Sequence, residues 1–234
     1  MAAAELATFI DRFTVQYVRV FPHPIERVWR ALTDPAELSA WCMPATIDLR
    51  VGGAYAFQGE AWGHILALDP PRLIKFGKKG VGVPSATGDN WMQYELEATP
   101  DGTRMLFVEH WQEGPDYRAW AIDKFGKDAE REDDRPGGPF SPFHPGTLGG
   151  WHGMFDGLAD VLDGVPPDSR LPPSRLSAVA KNWAGNRVRS GDFSADVAER
   201  YVRELRANEE YLDLIDVYRA HIKAALPRAE PEDD

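Results

Sequence analysis

The feature that most constrains this chain is a series of at least five strand-like runs between residues 46 and 111. The runs are rich in β-branched and aromatic residues, which favour strands. Gly-Gly, Asp-Pro-Pro and Pro-Asp-Gly lie between them, and these residues form turns. The pattern predicts an antiparallel meander with the apolar sides of its strands facing inward.

The flanking segments add a strand and three helices. Residues 12–21 alternate apolar and polar side chains, which predicts a first strand. Pro24 opens a helix, and Pro35 starts a second short one. Thr147 is a predicted N-cap for an amphipathic helix of about 17 residues that Gly164 ends.

The chain divides by composition into a folded domain and an extension. Residues 1–164 form the predicted domain, interrupted by a long loop at 113–146 that we expect to act as a lid. The Pro-rich segment 165–174 is a predicted linker. Residues 175–226 form a predicted helical extension, with a helix of about 30 residues starting after Ser194, and 227–234 form an acidic tail.

Charge and composition exclude several classes of partner. With 37 acidic and 26 basic residues, the net charge of −11 disfavours nucleic acid and anionic membrane surfaces. No apolar run approaches the roughly 20 residues of a membrane-spanning helix, and the N-terminus lacks a signal-peptide pattern, so a cytoplasmic location is expected. Cys42 is the single cysteine, and no metal-ligand spacing is found; we expect neither a metal nor a cofactor.

Five short motifs in a fixed order carry a resemblance to a known family. They lie at 28–41, 49–57, 63–76, 101–105 and 150–164. Together they resemble the SRPBCC superfamily of START and polyketide-cyclase-like proteins, in the branch named after the activator of heat-shock-protein-90 ATPase. The resemblance covers roughly residues 12–164, and the loop at 113–146 is longer than is usual in that branch.

The resemblance implies an α+β helix-grip fold. In that fold a curved antiparallel sheet, here of six to seven strands, wraps around a long C-terminal helix. The present chain adds a C-terminal helical extension. A sheet and helix arranged in this way leave an apolar cavity between them, which is the default binding site.

The leading functional hypothesis is binding of a small, mostly apolar molecule in that cavity. For Trp29, Trp41, Trp151 and Phe155, the alternative is simple core packing between the short helices, the sheet and the long helix. The predicted lining residues are Trp41, Tyr55, Phe57, Leu66, Tyr94, Phe107, Trp151 and Phe155.

Other functions stay open at this point, because the residues do not decide between binding and catalysis. A cyclase- or aromatase-like enzyme acting on a hydrophobic substrate would use His64, Tyr94 or His110. His110 and Glu109 are neighbours in a strand, so they point to opposite faces and do not form a dyad.

Two further hypotheses concern protein partners. A co-chaperone role is implied by the branch name alone. The apolar side of the C-terminal helices suggests a homodimer.

On the long helix, His152 and Asp156 have the spacing of an ordinary ion pair.

Overall fold

A computed structural model describes most of the predicted domain and part of the extension. The described residues are 6–11, 13–57, 61–80, 90–111, 143, 145–166, 185, 188, 191, 194–206 and 214–225. The predicted linker and tail lie largely or wholly outside these residues. So does the predicted lid, apart from Phe143, Pro145 and Gly146.

The meander forms one antiparallel sheet of eight strands, in the spatial order β1-β2-β8-β7-β6-β5-β4-β3. The strands are β1 Thr8–Asp11, β2 Thr14–Phe21, β3 Ala45–Ile47, β4 Ala54–Phe57, β5 Ala61–Asp69, β6 Leu73–Gly80, β7 Trp91–Thr99 and β8 Gly102–His110. The strand beyond the predicted six to seven is β1. Asp11 accepts the Phe13 N–H at 2.7 Å in the turn that folds β1 back onto β2.

The third strand is shorter than the predicted run from 46 to 51. Gly52 has φ +77°, and the Gly53 N–H donates to the Arg50 carbonyl at 2.8 Å, so the chain already turns within this run. Leu49 and Val51 are exposed as a result.

Two short helices follow β2, as predicted. They are α1 Ile25–Thr33 and α2 Pro35–Trp41. Asp34 separates them, and its side chain accepts the N–H groups of Ala36 and Glu37 at 2.9 and 3.0 Å. This cap, with proline at the first helical position, explains why the chain restarts a helix at once.

The long helix, α3 Pro145–Leu162, lies over the inner face of the sheet. It begins two residues before the predicted cap Thr147, because proline is well suited to the first position of a helix. Gly164, at φ +70°, follows its end as predicted. Tyr17 on β2 donates to the Leu148 carbonyl at 3.0 Å and ties the helix to the sheet. The helix-grip fold is therefore confirmed.

The described part of the extension forms α4 Ala195–Arg206 and α5 Leu214–Ala225. The residues between them, 207–213, lie outside the described part of the chain, so the predicted single helix of about 30 residues stays a prediction. Helix α5 packs on α3. Its Tyr218 is fully buried in the same core, with Val217 and Ile222 packed against that core.

Helix α5 also holds the N-terminal segment. The Ala7 N–H donates to the Tyr218 hydroxyl at 3.2 Å, and His221 Nε2 donates to the Ala7 carbonyl at 2.7 Å. This part of the extension is thus joined to the core of the domain, and its Tyr218 side is covered within one chain. A homodimer through the C-terminal helices stays a prediction. Among the described helices, none combines the length and apolar character needed to cross a membrane.

Candidate functional site

Two charged side chains lie on the inner face of the sheet, at the end where β6 and β8 finish. Along β6, the inward residues are Ile74, Phe76 and then Lys78; along β8, Phe107 is followed by Glu109. Strand β7 lies between these two strands. The two charged side chains therefore approach each other across β7, within a face that is otherwise apolar.

Lys78 and Glu109 form a direct ion pair between Nζ and Oε1. The Glu109 side chain is 0% exposed and that of Lys78 is 11% exposed. The other carboxylate oxygen of Glu109 accepts the Trp151 indole N–H from α3 at 2.7 Å. Lys78 Nζ also lies 4.3 Å from the centre of the Trp111 ring, a cation–π contact. We call Lys78, Glu109, Trp111 and Trp151 the polar end of the site.

An aromatic cluster extends from this polar end along the inner face. Phe107 is its centre, with ring centroids 4.4 Å from Trp151, 4.8 Å from Tyr94, 5.2 Å from Phe155 and 6.0 Å from Tyr17. These distances are typical of tilted and edge-on aromatic contacts.

A second group of rings joins the cluster through Phe76, whose centroid lies 6.4 Å from that of Tyr94. It contains Phe76, Tyr55 and Phe57, with centroids 4.7 to 5.9 Å apart. The Tyr55 hydroxyl donates to the Gly77 carbonyl at 3.0 Å. A Cβ at Gly63, which pairs with Tyr55, would lie 2.0 Å from that same oxygen, so glycine is required there.

The tyrosines of the cluster are neutral phenols. Burial raises the pKa of Tyr94 well above its usual value, and the nearby Cys42 and Glu109 raise it further. Burial, followed by the charge of Glu109, likewise raises the pKa of Tyr55. Both hydroxyl groups therefore stay protonated hydrogen-bond donors at neutral pH.

The structure places seven of the eight predicted lining residues in or against one buried core, six of them in the aromatic cluster, and leaves Leu66 outside it. Leu66 is 51% exposed and sits at a bulge between Ile65 and Ala67, where an extra residue in β5 disrupts the alternation of faces. Trp41 is buried, but its indole N–H donates to the Ala31 carbonyl at 2.8 Å and fastens α2 to α1. The six residues that share the cluster are Tyr55, Phe57, Tyr94, Phe107, Trp151 and Phe155.

Of the three catalytic candidates, only Tyr94 belongs to the cluster. His64 is exposed. His110 lies on the opposite face from Glu109, as predicted, where its Nδ1 is 2.9 Å from the Thr14 hydroxyl and its ring stacks on Trp91. Neither of these two histidines lies at the polar end.

Sequence reasoning missed Lys78, Glu109 and Trp111. The alternation of faces along a strand indicates their position. Glu109 and Trp111 follow the inward-facing Phe107 at every second position. Lys78 follows the inward-facing Phe76 in the same way. A charged residue on the apolar face of a strand indicates a buried partner. Which partner it has depends on the register across β7, and short-range sequence patterns do not give that register.

His152 corrects the predicted ion pair with Asp156. The imidazole is buried, its Nδ1 lies 3.1 Å from the Tyr218 hydroxyl, and its Nε2 is 3.9 Å from Asp156. Burial, helped by the positive charge of Arg19, lowers the pKa of His152 from 6.5 to about 3. The ring is therefore neutral at physiological pH and does not form an ion pair.

This burial predicts a pH dependence of stability. Below pH 6.5 the unfolded chain protonates His152, whereas the folded chain does so only near pH 3. The free energy of unfolding should therefore fall with pH in that window, by about 1.4 kcal/mol per pH unit from this residue. Urea titrations of wild type and His152→Gln between pH 7 and 4 should show a shallower decline in the variant. Parallel profiles would show that His152 does not titrate in this way.

Within the described residues, no group of three or more His, Cys, Asp or Glu side chains is arranged to hold a metal ion. The chemistry available at the site is thus that of aromatic surfaces, neutral phenols, indole N–H groups and one buried ion pair. Such a set has the chemistry to hold an apolar molecule and to orient it through a few polar groups.

Comparisons with known proteins agree with this architecture. The family model described as Activator of Hsp90 ATPase homolog 1-like protein matches residues 22–163. The solution structure of CalU16 from Micromonospora echinospora is 20% identical, with 91% of this chain and 88% of that one covered and a TM-score of 0.51. Protein MLL2253 from Mesorhizobium loti is 22% identical, with 65% and 98% covered and a TM-score of 0.46. No curated protein matches the sequence.

The likeness to CalU16 concerns the fold alone. The family match includes every strand from β3 to β8 together with α1, α2 and all of α3, and it leaves α4 and α5 outside. It contains all four residues of the polar end. The chain belongs to the family of Activator of Hsp90 ATPase homolog 1-like proteins.

Proposed function

We propose that this protein binds a small, mostly apolar molecule between the inner face of the sheet and α3, beside the polar end. The observation that carries the proposal is the buried Lys78–Glu109 pair, which lies inside an otherwise aromatic interface and is held to α3 by Trp151. The family to which the chain belongs is consistent with binding of hydrophobic ligands.

The energetics of the pair support a role in binding. Two charges removed from water lose hydration that their mutual attraction only partly restores, and a pair of well-packed apolar residues is often as stable or more so. A sheet-to-helix interface that needed only packing would therefore favour apolar residues at 78 and 109. Ligand sites combine mostly apolar and aromatic walls with a few polar groups that orient the ligand, and the aromatic cluster and the polar end together have this composition.

The test is native mass spectrometry of the purified full chain, together with equilibrium dialysis against 2-ethylnaphthalene. We expect a species heavier than the 26.1 kDa chain, returning to 26.1 kDa on denaturation, or saturable binding of one probe molecule per chain. Trp151→Leu should weaken the binding at least about fivefold, because it removes a ring that contacts both Phe107 and Phe155. Leu66→Ala, on the exposed face, is the matched control and should leave the affinity unchanged. A bare chain that also fails to bind the probe would overturn the proposal.

A further inference from the structure

The polar end contains a donor that the described residues leave unused. Trp111 is 8% exposed and belongs to the hydrophobic core, yet its indole Nε1 has no hydrogen-bond acceptor among the described residues. An indole N–H is a donor only, and burying it without an acceptor is unfavourable. An acceptor supplied from outside the chain would satisfy it.

Tyr94 supplies a second donor in the same site. Its side chain is 3% exposed, and its hydroxyl makes no hydrogen bond to any residue that the structure describes. Its ring contacts Phe107 and Phe76 and thus joins the two halves of the aromatic cluster. Because the phenol is neutral, it donates readily to an oxygen of a bound molecule.

The charges of the polar end favour a neutral ligand. Lys78 and Glu109 already neutralise each other, and both Glu109 oxygens have donors. An anion that took Lys78 would leave Glu109 buried with the Trp151 N–H alone, and a cation that took Glu109 would leave Lys78 unpaired. Either exchange leaves an uncompensated buried charge, which is costly.

We infer that the ligand is a neutral aromatic ketone, whose carbonyl oxygen accepts a hydrogen bond from Trp111 or Tyr94 while its rings contact the aromatic cluster. This inference rests on the proposed function, and it adds the chemical class of the ligand. In this proposal the aromatic cluster supplies affinity for the rings of the ligand. The N–H of Trp111 and the hydroxyl of Tyr94 select a ligand that carries a carbonyl oxygen.

The test compares three probes of similar shape by equilibrium dialysis: 2-acetonaphthone, 2-ethylnaphthalene and 2-naphthoate. The first two differ in the carbonyl oxygen, and the third carries a negative charge. Wild type is measured beside Trp111→Phe, which keeps an aromatic ring but removes the N–H, and Tyr94→Phe, which removes one hydroxyl. The affinity ratio of 2-acetonaphthone to 2-ethylnaphthalene should fall about three- to tenfold in at least one variant, the size expected for one hydrogen bond.

Each outcome bears on a different claim. If wild type binds neither neutral probe and the purified chain carries no molecule in native mass spectrometry, the proposed function itself is wrong. If the chain carries a molecule but binds neither probe, the proposed function stands and the ketone inference is wrong. If it binds both, and the affinity ratio is the same in wild type and both variants, the proposed function stands and the ketone inference is wrong. We expect 2-naphthoate to bind at least tenfold more weakly than 2-acetonaphthone. Equal binding of these two would contradict the inferred neutrality of the ligand.

Discussion

Replacing Glu109 by leucine should lower the free energy of unfolding by about 3–5 kcal/mol, because Lys78 would then be left buried without its partner. The Trp151 N–H would lose its acceptor as well. Urea denaturation followed by circular dichroism measures the change. The loss should be visible as a lower transition midpoint with a similar slope.

The double variant Lys78→Met, Glu109→Leu provides the matched control. Since it replaces both charges by apolar groups, it should recover most of the loss; a deficit of about 1–3 kcal/mol remains, because the Trp151 N–H still lacks its acceptor. Recovery would show that the pair is not needed to hold the fold, as a binding role requires. If the double variant is as unstable as the single one, the pair is a structural element, and its burial gives no support to a binding role.

Phe107→Ala should lower the free energy of unfolding by about 3–5 kcal/mol, the usual cost of removing a fully buried phenylalanine. Phe107 contacts rings on β2, β7 and α3, so its loss leaves a cavity where sheet and helix meet. Thermal or urea unfolding of the full chain measures the effect.

Leu66→Ala is the matched comparison for Phe107, because Leu66 is more than half exposed. Its effect on the free energy of unfolding should stay below about 1 kcal/mol. Similar losses in the two variants would contradict the assignment of Phe107 to the centre of the core and of Leu66 to the outer face.

The fold was largely predictable from local patterns. Turn residues at Gly52, Pro70 and Gly102 separate the runs of the meander, and the spacing of Trp151, Phe155 and Leu158 indicates the helix that covers it. The bulge at Leu66 was not predictable, since an extra residue in one strand changes which side chains face inward without altering the composition. The eighth strand, β1, is short and at an edge, where hydrophobic alternation is weak.

The polar end was harder to predict than the aromatic cluster. Tyr94 and Phe107 are visible as apolar positions in alternating strands, whereas Lys78 and Glu109 are 31 positions apart and meet only through the register of β6, β7 and β8. His64 and His110 are catalytic candidates by residue type, because imidazole transfers protons near neutral pH. Side chains alternate between the two faces along each strand, and this alternation places His64 and His110 on the face away from α3.

Binding between the sheet and α3 can be followed in a ¹H–¹⁵N spectrum of the tryptophan indole groups during addition of 2-acetonaphthone. Trp111 and Trp151 lie at the polar end, and Trp62, on the exposed side of β5, is an internal control. We expect the Trp111 and Trp151 indole signals to shift in a saturable way while the Trp62 signal stays in place. Shifts confined to Trp62, or none at Trp111 and Trp151, would contradict a binding site between the sheet and α3.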